Sequence, residues 1–366
     1  MSVEMNQRFN LKSVINASGK MTVLGVSKVS DSVVLAQKVG GQSFFEIADL
    51  FLKTGEYLAN LLEAEDAHIV SCASAGIVQS VAGVIGRGSK QHLLNPYDFS
   101  LDLRREILIP KGHNIDYGTP IEIMIQQGGG TVVEVGYSNV CTPLHLESKI
   151  SSQTAGIIYV VSHHAVQKSM LSLEDAIGIA KSYEIPLIVD AAAEEDVFKY
   201  TRLGADVVIY SGAKAFNGPS SGLVVGRYPY IEWVRWQSYG LGRSMKIGKD
   251  NILGLVTAVE QYVKNPGENG ESMKVRLKPF VDSLNLIENV FAEISQDGSG
   301  RDIFRAKVKI SGKLSAIEVV ELLQNNNPSI YTRNYLANEG IIEFDIRSVN
   351  ESEMNQIIEA MNRILY

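Results

Sequence analysis

The chain repeats one pattern along most of its length: short β-rich apolar runs separated by segments with helical spacing. The runs are His68–Cys72, Ile107–Pro110, Thr131–Val135, Ala155–Val161, Pro186–Asp190, Val207–Tyr210 and Leu223–Gly226. Most are apolar throughout rather than alternating, which marks strands covered on both faces. Between them, Ile47–Leu62, Ile77–Ile85, Ile121–Gln127 and Leu173–Tyr183 read as helices. This alternation predicts an α/β domain whose mostly parallel central sheet is clad by helices on both sides. Asn251–Val263 adds a helix with Ile252, Leu255, Val259 and Tyr262 on one face. The tract Asn265–Gly270 is the clearest break. After it come a helix over Ser272–Ile294, a strand Ile303–Ile310, a helix Ala316–Gln324, strands Ser329–Arg333 and Gly340–Ile346, and a helix Glu351–Leu365. The expected division is an N-terminal arm (1–45), a large domain (46–264) and a smaller C-terminal α+β domain (265–366).

Open parallel sheets bind ligands beyond the carboxyl ends of their strands. The residues found there are therefore the ones to weigh. Lys214 lies in the small-residue turn Ser211-Gly212-Ala213-Lys214-Ala215-Phe216-Asn217-Gly218, between two strand-like runs. A desolvated lysine amine loses its charge and becomes a nucleophile able to form a Schiff base. For a lone lysine the commoner reading is an ammonium left in water. Asp190 ends the run Leu187-Ile188-Val189. It could pair with the pyridinium nitrogen of pyridoxal 5'-phosphate and keep that ring an electron sink; a metal ligand, ribose contact or helix cap would use it equally well. Ala192 is small enough to lie flat against one ring face. Ser74-Ala75-Gly76 opens an apolar helix, where free N–H groups and the helix dipole favour a phosphate, although Ser74 also suits a plain N-cap. The Ser211 hydroxyl would be a further phosphate ligand.

Cradle, Asp and Lys occur in the order used by pyridoxal-phosphate enzymes of the aspartate aminotransferase fold. The segment Ser211–Gly222 resembles the lysine segment of bacterial selenocysteine synthase and its relatives. Gly242-Arg243-Ser244-Met245-Lys246-Ile247-Gly248-Lys249 and Ile15-Asn16-Ala17-Ser18-Gly19-Lys20-Met21-Thr22-Val23-Leu24-Gly25 resemble the same group. The similarity runs from about Val14 to Tyr262. It is narrowest towards the branch that includes D-glucosaminate-6-phosphate ammonia-lyase. The resemblance implies a fold-type I pyridoxal-phosphate-dependent enzyme, assembled as a homo-oligomer of at least two copies. It further implies an α,β-elimination on a phosphorylated amino sugar acid, with Lys214 carrying the proton at Cα. The alternatives are selenocysteine synthase-like transfer on seryl-tRNA, β-elimination or aldol cleavage of another hydroxy amino acid, and a catalytically silent binding protein of the same fold.

Further site residues are assigned with their bland readings beside them. His113 and Tyr117, past the strand Ile107–Pro110, compete to stack on the cofactor or to protonate a leaving hydroxyl; a surface-loop role suits His113 as well. His163, after Ala155–Val161, would lie beside the cofactor's phenolic oxygen or the substrate. Adjacent to His164, it makes a poor metal pair. Arg347 ends a C-terminal run, where related folds place the arginine that grips a substrate carboxylate; without the resemblance it reads as an exposed cation. Arg243, Lys246 and Lys249 form a basic turn for a phosphate, with a solvated charge run as the alternative. Gly83–Lys90 fails as a nucleotide loop because Ser89 stands where lysine is needed.

Net charge weighs the seryl-tRNA reading against a small acidic substrate. At −7, the chain argues against a general affinity for nucleic acid and for a small acidic substrate met by a local cation cluster. Two cysteines, Cys72 and Cys141, show no metal spacing and suggest a reducing compartment; Cys72 reads as a small buried filler. With a polar start at Met1–Asn10 and no apolar run near the ~18 residues of a membrane span, a cytoplasmic enzyme without a membrane partner is expected.

Overall fold

The computed structural model describes residues 2–162, 164–298 and 301–366. They form two compact units, one of residues 28–265 and one of residues 1–27 together with 266–366. The stretch read as an arm therefore divides: strand β1 (Val14–Ala17) goes with the C-terminal segment and the helix Asp31–Gln42 with the larger unit.

Seven strands build the sheet of the larger unit: β2 (Asp66–Val70), β3 (Glu106–Pro110), β4 (Thr131–Val135), β5 (Thr154–Val160), β6 (Leu187–Asp190), β7 (Val207–Ser211) and β8 (Gly222–Gly226). Their order is β2-β8-β7-β6-β5-β3-β4. Every pair from β7 to β4 is parallel, whereas β8 runs antiparallel to both β7 and β2. Parallel neighbours need a long crossover, but antiparallel ones can be joined directly. That is why the connection carrying Lys214 is short and why it sits at the carboxyl end of β7.

The apolar runs are buried as their composition demands. All seven residues of β5 are buried. Ile157 and Tyr159 face one core cluster, and Ala155, Ile158 and Val160 face another on the opposite side of the sheet. Each such aliphatic side chain contributes about 1.5–3 kcal/mol. The helix Ala73–Gly86 is buried from Ala75 to Gly86, so its apolar residues run all round rather than along one stripe.

The smaller unit holds a three-stranded antiparallel sheet, β9 (Val290–Gln296), β10 (Phe304–Ile310) and β12 (Ile341–Phe344), in the order β12-β10-β9. A separate parallel pair joins β1 to β11 (Ser329–Thr332). Strand β9 corrects the sequence reading, which ran one helix through to Ile294; the helix spans Gly270–Leu284. Val290, Ala292 and Ile294 alternate onto the core, but only Ala292 is fully buried. The turn before it is set by Asn289 at φ 63° and by the Asn285 amide, which accepts from Ala292 N at 2.8 Å and donates to Ala292 O at 2.9 Å.

Candidate active site

Because β6 and β7 are parallel, their last residues share one edge of the sheet. Asp190 closes β6 there, 7% exposed, its Oδ1 accepting from Ala192 N at 3.1 Å. Burial pushes its carboxyl up to about 6, opposed by the Ala192 N–H and the charge of Lys214. Asp190 is thus an acid whose burial outweighs the nearby charge of Lys214. Ser211 ends β7, with its N–H donating to Ala192 O at 3.3 Å.

The Lys214 turn is built on that anchor. Lys214 N and Ala215 N both donate to Ser211 O at 3.1 Å, and Gly218 N closes onto Gly212 O at 2.9 Å. A Cβ on Gly212 would lie 2.1 Å from Ser221 Oγ and 2.8 Å from Leu255 Cδ1, so glycine is required at that position. The result holds Lys214 half-buried on the edge that carries Asp190.

The helix at the cradle begins earlier than expected, at Ala73, and its N-cap is Cys72, not Ser74. Cys72 Sγ accepts from Ala75 N at 3.4 Å, and Gly76 N bonds to Cys72 O at 3.0 Å. Cys72 is exposed, correcting its reading as a buried filler. Gly76 is not an anion donor, since its N–H is committed to the helix. It is glycine because a Cβ would meet Ile209 Cγ2 at 3.0 Å and Val224 Cγ2 at 3.2 Å. Ala75 N–H has only a thiol for a partner. With the N–H groups of Ala73 and Ser74 at the helix start, it could turn to an anion. The Ser74 hydroxyl lies 3.3 Å from Tyr117 Oη. Gly222, which sequence reasoning passed over, lets β8 approach: a Cβ there would lie 2.5 Å from Cys72 C and 2.8 Å from Ala73 N.

Tyr117 and His113 now separate. Burial raises the Tyr117 phenol, Ser74 opposes, and the charges of Asp190 and Cys72 raise it further, so Tyr117 stands in the field of the Asp190 edge. His113 is 0% exposed. Its Nδ1 accepts from Val160 N at 3.3 Å, and its ring meets Tyr159 edge-on at 4.5 Å. Burial lowers it to about 4 despite the Val166 carbonyl. A neutral ring sealed from solvent pins the loop after β3 to β5. His163 lies outside the described residues.

The basic residues divide as well. Arg243 and Lys246 are exposed, whereas the Lys249 side chain is partly buried and turned to the backbone. Its ammonium donates to Gly40 O at 2.7 Å, Gly41 O at 3.0 Å and Ser43 O, closing the carboxyl end of the helix Asp31–Gln42. Arg243 and Lys246 border a cavity of about 370 Å3 that also contacts Ile47, Phe51, His68 and Gln79.

In the smaller unit, Arg347 is 15% exposed rather than a strand-end cation in water. Its Nε and Nη2 fork onto Asp345 Oδ1 and Oδ2 at 2.9 and 2.8 Å. The carboxylate of Asp345 also accepts from Arg305 Nε at 3.0 Å. Burial alone would raise the Asp345 carboxyl, but Arg347 and Arg305 together hold it well below the usual carboxylate range.

Among the described residues no group of His, Cys, Asp and Glu could hold a metal ion, and no helix is long and apolar enough to cross a membrane.

This arrangement has close counterparts. The chain is 43% identical over 367 residues to the D-glucosaminate-6-phosphate ammonia lyase of Salmonella typhimurium (strain 14028s / SGSC 2262), covering 100% of this chain and 98% of that one. A solved structure of a D-glucosaminate-6-phosphate ammonia-lyase superposes with a TM-score of 0.92 at 42% identity, over 99% of this chain and 98% of the other. A Thermus thermophilus aspartate aminotransferase matches at a TM-score of 0.54 and 14% identity, over 100% of this chain and 95% of that one, which shows the shared fold. Residues 52–317 match the family described as L-seryl-tRNA selenium transferase (SelA), so the chain belongs to that family and has the fold of the type I pyridoxal-phosphate enzymes.

Proposed function

We propose that this chain is a pyridoxal-phosphate-dependent ammonia-lyase. Its substrate would be a phosphorylated amino sugar acid such as D-glucosaminate 6-phosphate, and its products a 2-oxo-3-deoxy sugar acid phosphate and ammonia. The observation that carries the substrate is the 43% identity to a lyase of that name along the whole chain.

The residues fit the cofactor. Asp190 is a buried acid raised towards neutrality, the environment that a protonated ring nitrogen would relieve. The start of the helix Ala73–Gly86 and the Ser211 hydroxyl offer donors to a phosphate, and Ala192 leaves one ring face uncrowded. When bound, pyridoxal phosphate supplies an electron sink for the carbanion formed at the amine-bearing carbon. Lys214 takes the proton from that carbon and returns one later. Asp190 would hold a proton on the ring nitrogen. Tyr117, with Ser74 beside it, donates a proton to the departing β-hydroxyl, the role for which His113 is too deeply sealed. Water lost at that step is regained when the imine hydrolyses to release ammonia, so the net change consumes no oxidant. Arg243 and Lys246 are assigned to the substrate phosphate, whereas the Arg347 fork is already taken by Asp345.

A homo-oligomer belongs to the same reading. Phe44 is 100% exposed, and Ile47 and Tyr239, which line the cavity, are 49% and 67% exposed. Soluble chains cover apolar area of this kind with a partner, and a second copy would do so here. With a net charge of −7, a tRNA substrate is the weaker reading.

The test is release of a 2-oxo acid from D-glucosaminate 6-phosphate with added pyridoxal phosphate. Release that depends on the substrate phosphate and disappears in Lys214→Ala is expected. Full activity in Lys214→Ala would refute the cofactor assignment. A tight, salt-sensitive tRNA complex without 2-oxo acid release would turn the reading to aminoacyl-tRNA.

A further inference from the structure

The β6–β7 ladder stops at the site. Asp190 pairs with Ile209, and the last backbone bonds across the pair are Ala191 N to Ile209 O at 3.0 Å and Ser211 N to Ala192 O at 3.3 Å. Beyond them the chain leaves in two directions, as the acidic loop Ala193-Glu194-Glu195-Asp196 and as the Lys214 turn. The parallel β6–β7 register itself ends with the Asp190–Ile209 pair.

Three tyrosines reach the acidic loop from three different elements. Tyr200 Oη donates to Glu194 Oε2 at 3.1 Å, Tyr210 Oη to Asp196 O at 3.5 Å, and Tyr262 Oη to Glu195 O. They come from the helix Lys199–Leu203, from β7 and from the helix Lys249–Lys264. Two of their rings also grip the lysine turn. Phe216, two residues past Lys214 and buried, meets Tyr210 edge-on at 6.1 Å and Tyr262 edge-on at 5.4 Å between ring centroids. Core packing accounts for the rings. A buried tyrosine hydroxyl needs a partner, and three from separate elements find theirs on one four-residue loop whose other end is the Asp190–Ala192 strand end.

We propose that Tyr262 and Tyr210, closing on Phe216 and anchored by their hydroxyls to the loop 193–196, form a clasp that fixes the Lys214 turn against the loop leaving Asp190. Tyr262 is its principal positioning residue, because its hydroxyl holds a backbone carbonyl and its ring holds Phe216. Burial, followed by the charges of Glu195 and Asp196, pushes its phenol up to about 12, so it remains a donor at every working pH. What the clasp positions rests on the cofactor reading above. Its existence as a contact does not.

Tyr262→Phe removes the anchor and keeps the ring. Tyr159→Phe is the control, since Tyr159 Oη also donates to a buried carbonyl, Leu171 O at 3.2 Å, but lies outside the clasp. The holoenzymes are compared by cofactor dissociation constant and by the pH midpoint of the cofactor's visible absorption band. Loss of one such bond is worth up to roughly tenfold in an equilibrium constant. Tyr262→Phe is therefore expected to weaken cofactor retention by up to about tenfold and to move the midpoint, with Tyr159→Phe leaving both unchanged. Phe216→Leu, which opens the clasp from the other side, should shift the midpoint in the same sense and serves if Tyr262→Phe does not fold. Two variants that lose equal thermal stability and keep the wild-type midpoint would overturn the clasp while leaving the proposed reaction standing. A wild-type protein with no visible band would overturn both.

Discussion

Asp190→Asn should make the cofactor-free protein more stable at neutral pH while abolishing turnover. Asp190 is 7% exposed and its carboxyl is raised to about 6 by burial, against about 3.9 for the unfolded chain. The folded state therefore binds the proton more tightly than the unfolded state, and stability falls as pH rises from about 4 to 6. Above that window the ionised carboxylate costs about 3 kcal/mol, near pH 5 about half of that, and near pH 4 almost nothing. Asparagine keeps the acceptor that Ala192 N uses and carries no charge, so it escapes the pH-dependent part. Urea unfolding of the stripped wild type and variant between pH 5 and 8 reads the difference. The variant's advantage should grow by about 1–2 kcal/mol across that range. A difference that stays flat, or that shrinks towards pH 8, would refute the placement of Asp190 as an acid whose burial outweighs the charge of Lys214. Added pyridoxal phosphate should raise the melting temperature of the wild type more than that of the variant.

Three other outcomes are expected. Gly222→Ala puts a Cβ 2.5 Å from Cys72 C, so it should destabilise by roughly 1–3 kcal/mol and loosen cofactor binding as the helix start shifts; an unchanged cofactor affinity would show the cradle is not held there. Asp345→Asn removes the carboxylate shared by Arg347 and Arg305 and should cost about 3–5 kcal/mol at pH 7. Because the Asp345 carboxyl is depressed in the folded state, its contribution is complete above about pH 5 and fades below about pH 4, so the variant's deficit should narrow in acid. Tyr117→Phe should lower kcat for 2-oxo acid release by roughly 10²–10⁴ with the fold intact, and a normal kcat would place the general acid elsewhere.

The strand runs, the helices between them and the order cradle, Asp190, Lys214 are legible in the sequence because each depends on local periodicity. A strand buried on both faces must be apolar throughout, as β5 is. Once the strands are parallel, residues at their carboxyl ends must share an edge. The individual duties of polar groups were not legible, because partners distant in sequence assign them. Lys249 is 209 residues from Gly40, whose carbonyl takes its ammonium. His113 is sealed by a bond to Val160, 47 residues on. Gly76 is glycine because Ile209 and Val224 crowd it, and the short, half-buried alternation of β9 becomes a strand only by pairing with β10. Periodicity records which face of an element is buried. Which group answers a buried donor or charge is settled only when the packed chain brings the two together.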